Sequence, residues 1–282
     1  MNKIILLPNA KKDEGFLLTK QVIAVLRTFC EKIYVSEDVP IAEEGICLYP
    51  VGALPKDAEL LLVIGGDGTL LHAAAAAMHA DIPILGVNMG RLGYLTSVEP
   101  SEIESLSRLA DGDYTVKGRM ALEVLCKHAD GTTELMGSVL NDVVVDGAGH
   151  LADLRLYEKE RFLDYRAGGL IIATPTGSTA YSLSAGGPVV DEAMGALCVT
   201  PICPRSFFSR SILFCEDATL RVAYIGERRD PLHVSMDGCL DFSLLPGEEV
   251  VVRRAAKDFK FLFLKPRDLL EVLCTKMNTQ HF

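Results

Sequence analysis

The sequence predicts an α/β N-terminal domain built on a parallel sheet, followed by an all-β, sandwich-like C-terminal domain. Before residue 112, short apolar runs alternate with stretches of helical periodicity, the pattern of parallel strands joined by crossover helices. From residue 113, runs rich in β-branched residues follow one another with few helices between them, the pattern of an antiparallel domain. The 282 residues, 49% hydrophobic and 23% charged, supply two cores of ordinary size without the charge excess of a disordered chain. The expected division is therefore 1–112, with 265–282 packing back on it, and 113–264.

Taken in order, Lys3 to Leu7 reads as a first strand, 14–32 as an amphipathic helix with Val22, Ile23, Val25 and Leu26 apolar, and Ile33 to Val35 as a second strand. Residues 36–58, broken by Pro40, Gly45, Pro50, Gly52 and Pro55, are a loop with one short strand at Ile46 to Leu48. Leu60 to Ile64 is a fully buried strand, Thr69 to Met78 an alanine-rich helix, Ile82 to Val87 another strand, and 102–110 a helix closed by Asp111-Gly112-Asp113. The β half is expected to contain 114–128, 133–146, 151–157 and 162–173, then 195–200, 211–214, 219–225, 232–236, 249–253 and 260–264. A short helical pattern over 267–276 ends the reading.

The loop Gly65-Gly66-Asp67-Gly68-Thr69 joins a buried strand to a helix. Glycines there allow close approach and positive φ, and the free amides that open a helix attract an anion such as phosphate. Asp67 within such a cradle implies chemistry, because a carboxylate repels phosphate unless it takes a proton from a nucleophile or helps to hold a metal. The alternative is a tight turn whose aspartate caps the helix.

Thr174-Pro175-Thr176-Gly177-Ser178-Thr179-Ala180-Tyr181-Ser182-Leu183-Ser184-Ala185-Gly186-Gly187-Pro188 is too polar for a core strand. Ser178 suits an N-cap, 179–185 can make two helical turns, and Gly186-Gly187-Pro188 stop them. Hydroxyls and amides would then converge on one concavity, with the ring of Tyr181 available to stack on a purine. The alternative is a well-capped connector. Asn141-Asp142 could read a purine edge and a ribose diol, or form an Asx turn. Asp146-Gly147 and Asp237-Gly238 read as hairpin turns, and His72 as structural.

A net charge of -10 without a Lys/Arg run argues against nucleic-acid or anionic-membrane surfaces. Eight cysteines with no Cys-x-x-Cys pair and no histidine at metal-ligand spacing read as reduced cytoplasmic thiols. No apolar run approaches a membrane span, and the N-terminus lacks a signal-peptide pattern.

Together these motifs resemble the NAD kinases, in the family's order from the Gly65–Thr69 loop through Asn88 to Thr96, Arg119 to Glu123, Asn141-Asp142, Thr174 to Pro188, and Pro201 to Arg210. The glycine loop is shared with diacylglycerol and sphingosine kinases, which makes a lipid kinase the alternative; the Thr174 to Tyr181 block distinguishes them. The resemblance implies a two-domain fold with a catalytic site between the domains, ATP or polyphosphate as donor, NAD as acceptor, Mg²⁺ held mainly through nucleotide phosphates, and a homodimer or homotetramer. By motif, Asp67 matches the general base, and Gly65, Gly66, Gly68 and Thr69 the nucleotide loop. Asn141 and Asp142 match the pair that holds adenosine, Thr176, Thr179, Ala180, Tyr181, Ser182 and Ser184 the adenine and ribose pocket, and Arg166 a basic residue just before it. Three departures stand out: Gly168-Gly169-Leu170 where the family has Asp-Gly-Leu, Pro204-Arg205-Ser206-Phe207 where it has Pro-His-(Ser/Thr)-Leu, and Cys239 where glutamine is common. A catalytically weak dinucleotide-binding relative is the reading those departures suggest.

Overall fold

The computed structural model describes residues 1–41, 43–89, 93–205, 209–226, 231–266, 269–270 and 272–274. They form two compact units, Met1–Gly118 with Phe259–Phe282, and Arg119–Asp258.

In the first unit, strands β1 (Lys3–Pro8), β2 (Lys32–Ser36), β3 (Ile46–Tyr49), β4 (Leu60–Gly65) and β5 (Ile84–Asn88) share a seven-stranded sheet with β6 (Thr115–Arg119) and β19 (Phe259–Phe263), in the order β3-β2-β1-β4-β5-β19-β6. The first five pair in parallel, and β19 joins β5 in parallel. β4 is buried along its whole length, as its unbroken apolar run requires of a strand covered on both faces. Helix α1 (Leu17–Leu26) sets Leu18, Val22, Ile23 and Leu26 into the core. It is shorter than the 14–32 read from periodicity. Helical structure opens at Glu14–Phe16 as a 3-10 turn, where the buried Asp13 carboxylate accepts from the amides of Leu18 and Thr19, and the shortfall lies at the other end, where residues 27–29 are turn with Thr28 and Phe29 bonding three residues back. Helix α2 (Asp67–Ala80) starts two residues before the expected Thr69, and Pro100–Leu109 is a 3-10 helix opened by a Glu99/Glu102 capping box.

The second unit contains two six-stranded antiparallel sheets. One comprises β7 (Leu122–Lys127), β8 (Thr133–Val139), β10 (Ala152–Glu158), β11 (Arg161–Ala167), β15 (Leu220–Tyr224) and β18 (Glu249–Arg254), in the order β11-β10-β15-β18-β7-β8. The other comprises β9 (Asp142–Asp146), β12 (Gly169–Ala173), β13 (Ala196–Ile202), β14 (Ile212–Cys215), β16 (Leu232–Met236) and β17 (Leu240–Leu244), in the order β14-β13-β12-β9-β16-β17. Val124, Leu154 and Val250 from the first interlock with Val145, Leu170 and Val234 from the second in one core, which makes the pair a sandwich.

Three expectations change here. The runs 114–128, 133–146 and 162–173 each split into two strands that enter different sheets: β6 and β7, β8 and β9, β11 and β12. Periodicity continues through each break and so cannot reveal it. The run at 260–264 belongs to the parallel sheet as β19, not to the β half, and β17 was not foreseen. The turn expected at Asp146-Gly147 lies two residues later, where Ala148 and Gly149 take positive φ and His150 N–H bonds the Gly147 carbonyl. The helix expected over 267–276 lies largely outside the described residues. Among the described residues no helix is long and apolar enough to cross a membrane.

Candidate active site

In the first unit the glycine loop closes tightly onto the end of β4. A Cβ on Gly65 would lie 2.6 Å from Thr69 Oγ1, so glycine is required where the first turn of α2 folds back over the strand. Asn9 Nδ2 donates to that same Oγ1 at 2.7 Å. None of Gly65, Gly66 and Gly68 has positive φ, contrary to expectation; Gly66 is an extended N-cap at φ −99°, and a Cβ on Gly68 would meet open space. The role that survives is close approach rather than unusual dihedrals. The backbone amides of Asp67 and Gly68 make no hydrogen bond among the described residues, which leaves two donors at the helix N-terminus. Lys12, not singled out in the sequence, brings its ammonium to 3.3 Å from where a Gly66 Cβ would sit.

Asp67 does not cap its helix through its side chain. Its Oδ2 accepts from Tyr94 N–H at 2.7 Å, and Oδ1 from Leu95 and Thr96 N–H at 3.0 and 3.3 Å. A carboxylate has about four acceptor positions, so three amides leave room for one more hydrogen. Gly93 lies so near that any Cβ would overlap Asp67 Oδ1. The loop at 93–96 is thereby folded around this one carboxylate. Residues 90–92 of the expected Asn88 to Thr96 block lie outside the described residues.

In the second unit the fold brings Asn141 and Asp142 against the start of the hydroxyl-rich segment. Asp142 stands opposite Ala173 in the β9–β12 pairing, and Thr174 N–H donates to the Asn141 carbonyl at 2.8 Å. Thr174 Oγ1 donates to Leu140 O at 2.5 Å and accepts from Gly177 N–H at 2.9 Å. A side chain on Gly177 would overlap the Asn141 carbonyl, which explains the glycine.

The expected Ser178 cap is corrected. Ser178 is fully buried, donates to Pro175 O at 2.6 Å and accepts from Val190 N–H at 2.9 Å; neither the 3-10 turn Gly177–Thr179 nor the short helix α3 (Tyr181–Ser184) has a side-chain cap. The hydroxyls do not all converge on one concavity either. Ser182 is buried 3.0 Å from Thr200 Oγ1, which is in turn 3.0 Å from Ser211 Oγ, and so Ser182 ties α3 to β13. Thr176 is buried, Thr179 Oγ1 donates to Thr176 O at 3.1 Å, Ala180 is half-buried, Ser184 is exposed, and Tyr181 is 47% exposed with its ring open to a partner. Arg166 lies on β11 with its guanidinium largely exposed, 3.7 Å from Asp153. Of the family departures, Gly168 lacks positive φ, and Cys239 Sγ donates to the Asp237 carbonyl at 3.1 Å. Residues 206 and 207 lie outside the described residues.

Asp237 is the functional-region residue that sequence reasoning missed. It sits at φ +52° in the β16–β17 hairpin, followed by Gly238 at φ +63°, as the expected turn requires. Its carboxylate accepts from the amides of Leu140, Asn141 and Asp142 at 2.8, 2.7 and 3.1 Å, a link across 95 to 97 residues that a local motif cannot announce. Burial, reinforced by the nearby Asp237 charge, pushes the Asp142 carboxyl up to about 7. Burial raises Asp237 as well, against the lowering by its three amides. Near neutral pH Asp142 is therefore divided between an acceptor-only carboxylate and an acid that can donate.

The chain is similar to known proteins in both of its parts. Residues 51–114 match the ATP-NAD kinase N-terminal domain and 140–264 the ATP-NAD kinase C-terminal domain. An NAD kinase of Lachnoclostridium phytofermentans is 33% identical over 98% of this chain and 99% of its own length, and one from Geotalea daltonii is 39% identical over 79% and 80%. Among solved structures, yeast NADH kinase complexed with NADH superposes with a TM-score of 0.85 at 22% identity, covering 100% of this chain and 89% of its own. An NAD kinase from Archaeoglobus fulgidus in complex with ATP gives 0.73 at 22% identity, covering 98% and 99%. With both domain models matched in order and relatives above 30% identity aligned over nearly its full length, the chain belongs to the NAD kinase family.

Proposed function

We propose that this chain transfers the terminal phosphoryl group of ATP to the 2′-hydroxyl of the adenosine ribose of NAD, giving NADP and ADP. The observation that carries the reading is Asp67: a carboxylate held by three amides, with one acceptor position left, at a helix N-terminus flanked by an ammonium group. The free amides of Asp67 and Gly68 and the Lys12 ammonium meet donor phosphate oxygens. Asp67 takes the proton of the 2′-hydroxyl as its oxygen attacks the terminal phosphorus and the bond to the bridging oxygen breaks. Asn141 and Asp142 bind adenosine, and Tyr181 stacks on the purine.

A divalent cation such as Mg²⁺, when bound, offsets phosphate charge during transfer. Asp67 has at most one position left for it, which fits an ion carried on the nucleotide better than one caged by protein. A cytoplasmic homodimer or homotetramer fits the family and the cysteines, all free where described.

Incubating the purified chain with NAD, ATP and Mg²⁺ tests the reading by NADP formation, with polyphosphate as an alternative donor and diacylglycerol as an alternative acceptor. Phosphorylation of diacylglycerol without NADP would reject it. Gly168, Arg205 and Cys239 favour one variant, in which NAD binds weakly; a high KM at ordinary kcat is its signature.

A further inference from the structure

The β unit contains a second cluster with its own chemistry, among residues that the proposed reaction does not use. Cys126 lies near the end of β7 and His128 just beyond it, two residues on, while Glu248 immediately precedes β18, the neighbouring strand. Cys126 Sγ is 3.8 Å from His128 Nδ1, Glu248 Oε1 is 2.7 Å from the same nitrogen, and one ligand atom from each residue lies within 4.8 Å of the others. Cys126 is 3% exposed and the Glu248 side chain 11%, so the cluster is walled on the protein side and open past the imidazole.

We propose that Cys126, His128 and Glu248 bind a soft divalent cation, Zn²⁺ by preference, with water in the fourth position. The donor set of one sulfur, one imidazole nitrogen and one carboxylate oxygen is that of zinc rather than magnesium. Tetrahedral zinc holds such ligand atoms about 3.4 to 3.7 Å apart. The sulfur–nitrogen distance of 3.8 Å is about 0.2 Å longer than this geometry needs, and the carboxylate withdraws by roughly half an ångström to admit the ion.

The surroundings argue for a built site rather than a chance cluster. With Nδ1 on the metal, the other imidazole nitrogen faces Glu134 Oε2 at 3.4 Å, the carboxylate–histidine–metal arrangement that fixes the ring. The free oxygen of Glu248, Oε2, accepts from Leu245 N–H at 2.8 Å, which aims Oε1 at the cluster. His128 is fixed by its own backbone, which bonds Thr132 O and Gly131 N–H across the β7–β8 turn. Binding replaces the thiol proton of Cys126 and any proton on His128 Nδ1, both released to solvent. The bound ion ties the β7–β8 turn to the turn at Leu245–Glu248, where the chain enters β18.

The test uses the full chain without nucleotide. Titration with Zn²⁺ against a chromophoric chelator should give one ion per chain and a higher melting temperature. Co²⁺ in its place should give a thiolate-to-metal charge-transfer band. Cys126→Ala should abolish the band and weaken Zn²⁺ at least 100-fold, whereas Cys215→Ala, an exposed thiol elsewhere, should change neither. If Cys126→Ala does not fold, Glu134→Gln, at a largely exposed side chain, should still weaken Zn²⁺ about 10-fold or more. No Zn²⁺ bound by folded wild type, a Co²⁺ complex without the band, or unchanged affinity in these variants would overturn the proposal.

Discussion

Asp67 holds the 93–96 loop, and in the proposed reaction it is also the base, so the structure changes what its replacement should do. Asparagine has nearly the same shape but presents an N–H₂ group where the carboxylate has an oxygen, against amides that are themselves donors. Asp67→Asn is therefore expected to cost about 1 to 3 kcal/mol of stability through the 93–96 loop, as well as about 10² to 10⁴ in the chemical step. Chemical denaturation beside single-turnover kinetics separates the two; unchanged stability would mean that the amides do not hold the carboxylate. Gly168 and Gly169 differ at the same scale. A Cβ on Gly168 makes an ordinary contact, 3.4 Å from Ile202 O, whereas on Gly169 it would lie 2.7 Å from Val145 O and 2.8 Å from Asp146 Cβ. Gly168→Asp should leave the melting temperature within a few degrees and tighten NAD if that departure removed a ligand contact. Gly169→Ala should destabilise by about 1 to 3 kcal/mol through overpacking. A larger loss from Gly168→Asp than from Gly169→Ala would contradict the packing argument.

Between elements, the Asp142–Asp237 pair links β9 to the β16–β17 hairpin and makes stability depend on pH. Because the folded carboxyl of Asp142 is raised to about 7 from an ordinary 3.8, the folded state holds a proton that the unfolded chain has released. Its contribution is absent below the unfolded value, grows more unfavourable as pH rises from about 4 to 7, and is constant above that. Asp142→Asn, which is neutral at every pH, should therefore gain stability over wild type at pH 8 by up to a few kcal/mol, and gain much less at pH 5. Urea midpoints at both values check this, and an equal effect at the two would reject the assignment. The same substitution should weaken NAD if Asn141 and Asp142 read adenosine as proposed, a binding loss with the opposite sign to the stability gain.

At the scale of the whole chain, the β unit is inserted within the α/β unit, leaving after Gly118 and returning at Phe259. β19 brings Phe259, Phe261, Leu262 and Phe263 into the first unit, all at 3% exposure or less. A chain ending at Asp258 should lose the fold of the first unit, because its sheet would end beside β5 with an apolar gap, while Arg119–Asp258 keeps both of its sheets and their shared core. Limited proteolysis of the truncated chain should leave a fragment of the β unit. Survival of an intact Met1–Gly118 fragment instead would show that β19 is dispensable.

Sequence alone determined what depends on short-range pattern. β4 followed by α2 was legible because an unbroken apolar run, three glycines and an alanine-rich stretch specify strand, turn and helix locally. The Gly65–Thr69, Asn141-Asp142 and Thr174–Pro188 motifs were legible for the same reason, and their order pointed to the family. Tertiary structure decided whatever depends on partners far along the chain. The positions of β6 and β19, the sheet changes at Arg119–Leu122, Asn141 and Gly168, and the links from Asp67 to 94–96 and from Asp237 to 140–142 have no local signature. Pairing and hydrogen bonding act across space, and a β-branched run has the same period whichever sheet receives it. The Cys126–His128–Glu248 cluster shows the same limit, since Glu248 lies 120 residues from the histidine it touches.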